Sequence, residues 1–212
     1  MTRPRRRPPG EPPRVVKHPD DRRQDILGAA RTLFARQGLI RTTLADIATQ
    51  AGIARGLIYH YFPDKDALVD AVLAGYVADF VASLRAWDAA REPGNIDKAL
   101  ADCIVLFRRY LHPDGDLAPG LPRIEDARVQ TRFVDSAVDA VVETLGVTTV
   151  PAYAAAHRIA IDHVPQTFRV LIHGLIALVR TEPDLPEQVL ADIVRQTLRL
   201  DPSSSPADPE GA

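Results

Sequence analysis

The sequence predicts an all-α protein built as a short helix-turn-helix unit of three helices followed by a larger helical domain. Three observations carry this. Apolar side chains recur at the i, i+3, i+4, i+7 spacing of a buried helix face, and no run of alternating β-branched residues occurs. Pro and Gly fall where helices would start or stop: Gly38, Gly52, Pro63, the Pro93-Gly94 pair and Pro165.

The elements follow in order. Residues 1–19 hold 6 of the 18 prolines, alternate them with arginines and carry hardly any apolar side chains, so they are expected to be an unfolded basic arm. Asp20 can then cap a first helix whose buried face is Ile26, Ala29, Ala30, Leu33 and Phe34, with Gly38 as its stop. Thr43 opens Thr-Leu-Ala-Asp, a capping-box variant with Asp46 in the third helical position, and begins a second helix of about eight residues that Gly52 ends. A third helix fits between Ile53 and Phe62, because Pro63 cannot continue it and Asp64 can cap the next. The fourth carries Leu68, Ala71, Val72, Tyr76 and Phe80 toward Trp87. Further helices are expected over 96–111 and 124–145, separated by a Pro- and Gly-rich loop at 112–122. One more should start near Pro151, break or kink near Pro165 and run to Arg180, and the last spans 186–200. Residues 201–212, rich in Pro and Ser, are expected to be a disordered tail.

Composition narrows the function. Of the 212 residues 46% are hydrophobic and 25% charged, which excludes a wholly disordered chain. The net charge of −2 hides a split: residues 1–65 hold 13 Lys and Arg against 6 Asp and Glu, and the remainder holds 13 against 22. The front of the chain is a candidate for polyanion binding and the rest is not. Arg3, Arg5, Arg6, Arg7 and Arg14 supply much of that excess, so the folded part of the front is only mildly basic. The single cysteine, Cys103, has no disulfide partner, which suits a reducing compartment. The run Val170–Val179 is about half the roughly 20 residues of a membrane span, and no signal-peptide pattern follows the basic start; the expected location is the cytoplasm, away from any membrane.

Enzyme signatures are missing: there is no phosphate-binding loop, no Gly-x-Ser-x-Gly and no dinucleotide fingerprint. His157 and His163, six residues apart, would lie on opposite faces of one straight helix and make no metal pair. No catalytic residue, cofactor or metal is therefore expected.

Two short helices joined by a Gly-containing turn, Thr43–Ala51 and Ala54–Phe62, have the form of the unit whose second helix enters the DNA major groove. Leu44, Ile47, Ala48, Ile53, Ile58 and Phe62 would be buried, leaving Arg55, Gly56, Tyr59 and His60 outward. A guanidinium, two rings with polar edges and a glycine that permits close approach suit base edges and phosphates.

The stretch Ile26–Leu68, ILGAARTLFARQGLIRTTLADIATQAGIARGLIYHYFPDKDAL, resembles the DNA-binding domain of TetR-type transcriptional repressors in its Phe-x-x-x-Gly, Thr-Thr, Ile-Ala-x-x-Ala-Gly, Tyr-x-Tyr-Phe and Lys-Asp-x-Leu elements. The resemblance implies that Thr43 caps its helix and touches phosphate, that Arg55 and Tyr59 contact bases, and that Gly56 lets the helix approach. It further implies that His60 or Tyr61 meets the backbone and that Lys65 grips a phosphate. Ala54 departs from the pattern, because it stands where the family has a Ser or Thr cap. On the residues alone, Tyr61 is open between packing and contact, and the arginine arm is open between a solubilising tail and a minor-groove reader.

The same resemblance implies that residues 66–200 bind a small-molecule effector of unknown identity and form a homodimer through the last two helices, with the double-stranded operator as the other partner. Candidate pocket residues are Trp87, Cys103, Phe107, Tyr110, Phe133, Tyr153 and His157, with Arg108 or Arg128 available to an anionic ligand. Val170–Val179 has no solvent face, so it needs cover on two sides, either from a partner copy or within a monomer. The candidate interface is Phe168, Leu171, Ile172, Leu175, Leu178 and Val179, packed beside Val189, Ile193, Val194 and Thr197 of the final helix. The expected function is a repressor released by a ligand; the alternative is a helix-turn-helix regulator without one, controlled by a partner protein or acting as an activator.

Overall fold

A computed structural model describes residues 18–92, 94–111 and 124–200. The expected arm before His18, the loop at 112–122 and the tail from 201 lie outside the described residues. Nine helices and no strand occur among them. They are α1 (Pro19–Arg41), α2 (Leu44–Gln50), α3 (Arg55–Tyr61), α4 (Lys65–Ala90), α5 (Ile96–Leu111), α6 (Ala127–Val147), α7 (Thr149–Ala154), α8 (Val164–Thr181) and α9 (Glu187–Leu198).

Local chemistry accounts for most of the helix ends. α1 starts at the last residue of the expected arm: His18, not Asp20, is its cap, with Pro19 in the first turn where a missing N–H costs nothing. At Gly38 the backbone takes φ 82° and ψ 165°, a conformation open essentially to glycine alone, and the helix breaks there before a last turn to Arg41. The hydroxyl of the buried Thr42 donates to the Gly38 carbonyl at 2.8 Å and closes that break.

Around residues 149–163 the structure departs from expectation. In place of one helix from Pro151 kinked at Pro165, α7 is a six-residue piece that stops at Ala154, and α8 is a new helix with Pro165 in its first turn. Both prolines stand where a helix start accepts them, so neither interrupts a helix. His163, at φ 52° and ψ 47°, makes the left-handed turn into α8.

The front core joins Ile26, Phe34, Ile47, Ile58 and Phe62 to Leu68, Val69, Val72 and Leu73 of α4. A second core unites α5, α8 and α9 through Ile104, Leu171, Leu175, Val179, Leu190 and Val194. A third places Leu84 of α4 against Val141 and Leu145 of α6. Thus α4 runs unbroken from the front core into the rear of the molecule. By length and composition alone it could cross a membrane; here Leu68, Val69, Val72, Leu73 and Leu84 are buried in the protein's own cores, and Val77 is buried as well.

Candidate nucleic-acid interface and effector cavities

The front unit is held by the contacts its sequence foretold. Thr43 caps α2: its hydroxyl accepts from the Asp46 amide at 3.2 Å, while the Asp46 carboxylate accepts from the Thr43 amide at 2.9 Å and from its hydroxyl at 2.7 Å. Those bonds hold the Asp46 carboxyl below the usual carboxylate range. Leu44, Ile47, Ala48, Ile58 and Phe62 are buried as expected, and Ile53 is half-buried against the same core. α3 has no side-chain cap at Ala54, as the departure there implied.

Arg55, Gly56, Tyr59 and His60 all lie exposed on α3, with Leu57 beside them. Tyr61 is half-buried against the front core and meets the His60 ring edge-on, so packing occupies part of it. Lys65 is half-buried and donates to the Ile40 carbonyl at 3.2 Å. That bond ties the start of α4 to the end of α1 and uses one of the three donors of the ammonium group.

This geometry has counterparts among known proteins. Residues 26–72 match the profile of the bacterial regulatory proteins of the tetR family. The front domain is a tetR-family domain. Around this domain the chain is 45% identical over 64 residues to the HTH-type transcriptional repressor KstR2 of Rhodococcus jostii (strain RHA1), covering 30% of this chain and 31% of that protein. The chain thus aligns with just under a third of the length of such relatives. Two solved structures extend the likeness beyond the tetR-family domain. SmeT, the repressor of the Stenotrophomonas maltophilia multidrug efflux pump SmeDEF, has a TM-score of 0.56 at 21% identity, covering 87% of this chain and 94% of its own. The transcriptional regulator FadR from Bacillus subtilis, in complex with stearoyl-CoA, has 0.54 at 20%, covering 82% and 97%. At these identities the shared property is the fold.

Behind the tetR-family domain the candidate pocket residues separate into two groups. Phe107, Tyr110 and Phe133 line a large cavity of about 710 Å³ between α4, α5, α6 and α8. Trp87, Tyr153 and His157 line a small one of about 430 Å³ between the end of α4, the start of α5 and the α7 region. Cys103 lines both. Neither Arg108 nor Arg128 lines either cavity; an Arg108 guanidinium N–H donates to the Pro183 carbonyl at 3.3 Å, and Arg128 is exposed at the start of α6. The cation on the large cavity is Arg180, whose two terminal nitrogens lie 2.9 and 3.0 Å from the side-chain amide oxygen of Gln130, another lining residue. Its place at the end of the apolar run was the one available sequence signal. Among the described residues no cluster of His, Cys, Asp or Glu could hold a metal. His157 and His163 do not share a helix at all, since the chain leaves α7 at Ala154.

α4 links this cavity to the tetR-family domain through one side chain of α1. The Arg31 guanidinium stacks on the Tyr76 ring, 4.5 Å from its centre, and pairs with Asp79 at 2.9 Å. Gly75 makes room for it: a Cβ there would stand 2.2 Å from an Arg31 nitrogen. Tyr76 also lines the large cavity, so one ring touches both the cavity and the α1 arginine.

The candidate dimer residues also divide. Leu171, Leu175, Leu178, Ile193 and Thr197 line a surface groove of about 590 Å³ between α8 and α9, and Val189 is exposed nearby. Phe168 and Ile172 line the large cavity, and Val179 and Val194 are buried in the rear core. Val170, 74% exposed, and Gly174 line the groove and were not among the candidates.

Burial pushes the Cys103 thiol up to about 12. A raised value means that the native state holds the proton more tightly than the unfolded chain. The stabilisation is therefore complete below about pH 9 and is lost as pH climbs toward about 12. Burial also raises the Tyr76 hydroxyl, with Arg31 opposing the shift and Asp79 adding to it, and it acts in the same alkaline direction. A thiolate-selective reagent at pH 8 is expected to leave native Cys103 unmodified and to label it promptly in urea. Thermal melts between pH 8 and 11 should lose stability less steeply for Cys103→Ala than for the wild type; parallel curves would contradict this account.

Proposed function

We propose that the chain is a sequence-specific DNA-binding transcriptional regulator of the cytoplasm, a repressor that leaves its operator when a small molecule enters the large cavity. In this reading residues 20–65 hold the DNA, and residues 66–200 bind the effector and a second copy of the chain. The observation that carries it is the placement of α4, whose first half belongs to the core beneath the exposed Arg55, Gly56, Tyr59 and His60 and whose second half is a wall of the cavity. The relatives' names agree: KstR2 and SmeT are repressors, and the FadR complex contains stearoyl-CoA. The open groove of Val170, Gly174, Leu178 and Ile193 supports dimerisation on the α8–α9 face, because a surface of this apolar character is seldom left to solvent.

Fluorescence anisotropy on the duplex upstream of the gene and on a scrambled duplex, at two salt concentrations, tests the reading. A preference for the first duplex that persists at the higher salt supports it. Equal and steeply salt-dependent binding to both would reflect phosphate attraction alone and count against it.

The effector response gives a second test. Gly75→Ala adds a methyl group where the Arg31 guanidinium lies, and a flexible arginine tip can move aside. The melting temperature is expected to stay close to that of the wild type, since alanine is the better helix residue by about 1 kcal/mol. Operator affinity without effector should change little, while the release produced by effector shrinks several-fold, within the range of about 5 to 150-fold usual for linked sites. Full release in the variant would remove Arg31 from the linkage.

A further inference from the structure

The two cavities differ in charge. Glu125 and Arg180 line the large one, so its fixed charges cancel. The small one is lined by Asp88, Arg91 and Glu92. Asp88 and Arg91 answer each other, because the Asp88 carboxylate accepts from Arg91 Nε at 2.9 Å and from the Thr149 hydroxyl at 2.6 Å. Glu92 is left over: its carboxylate accepts from the Asn95 side-chain amide at 3.3 Å and meets no cation among the described residues. Helix ends of both senses reach the lining, the last turn of α4 at Ala89 and the first of α5 at Ile96, so their partial charges oppose one another and leave the sign to the side chains. The lining carries one negative charge in excess.

The rest of the wall is apolar and aromatic. The rings of Tyr153 and His157 lie 4.8 Å apart and within 33° of parallel, and Trp87 and Phe168 add two more. An aromatic face is the negative side of the ring's quadrupole, so it attracts a cation, and an indole face does so most strongly. Glu92 is exposed although it lines the cavity, which places it at the open edge. A cation held there keeps part of its hydration and escapes the cost of a fully buried pair. At about 430 Å³ the cavity is within the range of about 300 to 1,000 Å³ that holds small organic ligands.

We propose that the small cavity is a second small-molecule site, for an aromatic organic cation whose charge is held by Glu92 at the open edge and whose rings lie against the aromatic wall. The proposal does not depend on the reading of the large cavity as the effector site, because binding is observed directly.

Calorimetric titration of the full-length chain with N-methylquinolinium, a flat bicyclic cation, and with quinoline, its uncharged counterpart at pH 8, separates charge from shape. The wild type is expected to bind the cation about fivefold more tightly, the scale of an ion pair at an exposed edge. Glu92→Gln changes an exposed side chain outside the three cores, so the melting temperature should hold. In this variant the advantage of the cation should vanish while quinoline binds as before. Glu125→Gln, on the large cavity, should alter neither affinity. Trp87 is the single tryptophan, so its indole signal in a nitrogen-15 spectrum should shift with both probes as their rings come near. Equal affinity of the wild type for the two probes overturns the proposal, and so does an equal loss of both in Glu92→Gln. A loss in Glu125→Gln that Glu92→Gln does not share assigns the cation to the large cavity and overturns it too. Absence of cation binding at millimolar concentration, or an unmoved indole signal, has the same force.

Discussion

Phe34→Ala is expected to cost about 3 to 5 kcal/mol, the usual range for truncating a fully buried aromatic ring. Phe34 is 1% exposed and belongs to the same core as Ile26, Ala30, Ile47, Ile58 and Leu68. The removed ring leaves a cavity bounded by α1, α2, α3 and the first half of α4, and close-packed neighbours collapse into it only in part. Total stabilities of about 5 to 15 kcal/mol leave little margin after such a loss. Urea unfolding followed by circular dichroism measures it. The fluorescence of Trp87, at the far end of α4, shows at the same time whether the rear of the molecule holds while the front gives way. A loss below about 1 kcal/mol would mean that the core closes over the gap and that the front unit is more plastic than its burial implies.

Arg55→Ala should produce the largest loss of operator discrimination. Arg55 is the first residue of α3, is exposed, and makes no hydrogen bond or ion pair among the described residues. Its removal therefore costs the fold nothing, and the melting temperature should not move. A guanidinium paired with a guanine edge contributes about 1 to 3 kcal/mol of discrimination, a factor of about 5 to 150 in affinity. The upstream duplex should lose that factor, while the scrambled duplex, held through phosphates alone, should lose little. An equal loss on both duplexes would assign Arg55 to the phosphate backbone instead of a base.

The sequence was most legible where a short-range rule fixes the backbone. Thr43 with Asp46 and Asp64 before α4 act within a few residues of themselves and stand in the structure as expected, while Gly38 breaks α1 but one further turn carries it to Arg41. The exposed face of α3 followed from the same local logic. Legibility failed where the answer depends on packing over long distances. Val170–Val179 is apolar throughout, so nothing in it sets the helix register. The structure turns Leu171, Leu175 and Val179 into the rear core and leaves Val170 and Gly174 at the surface. The pocket candidates line cavities, but their spacing could not divide them between two. Pro151 and Pro165 misled for a different reason: a proline reads equally as a helix break or a helix start, and here both belong to starts.

The continuity of α4 has a mechanical consequence. Arg31 clamps the helix near Tyr76, with eleven residues before that point and fourteen after it up to Ala90. At about 1.5 Å per residue these make lever arms of about 17 and 21 Å about a common fulcrum. A sideways movement of about 2 Å at the Ala90 end would appear as about 1.6 Å in the opposite direction at Lys65, about four-fifths of the amplitude. Lys65 holds the Ile40 carbonyl by a single 3.2 Å bond, which a displacement of that size would strain. The same strut that stiffens the molecule thus carries motion from one end to the other with about four-fifths of its amplitude.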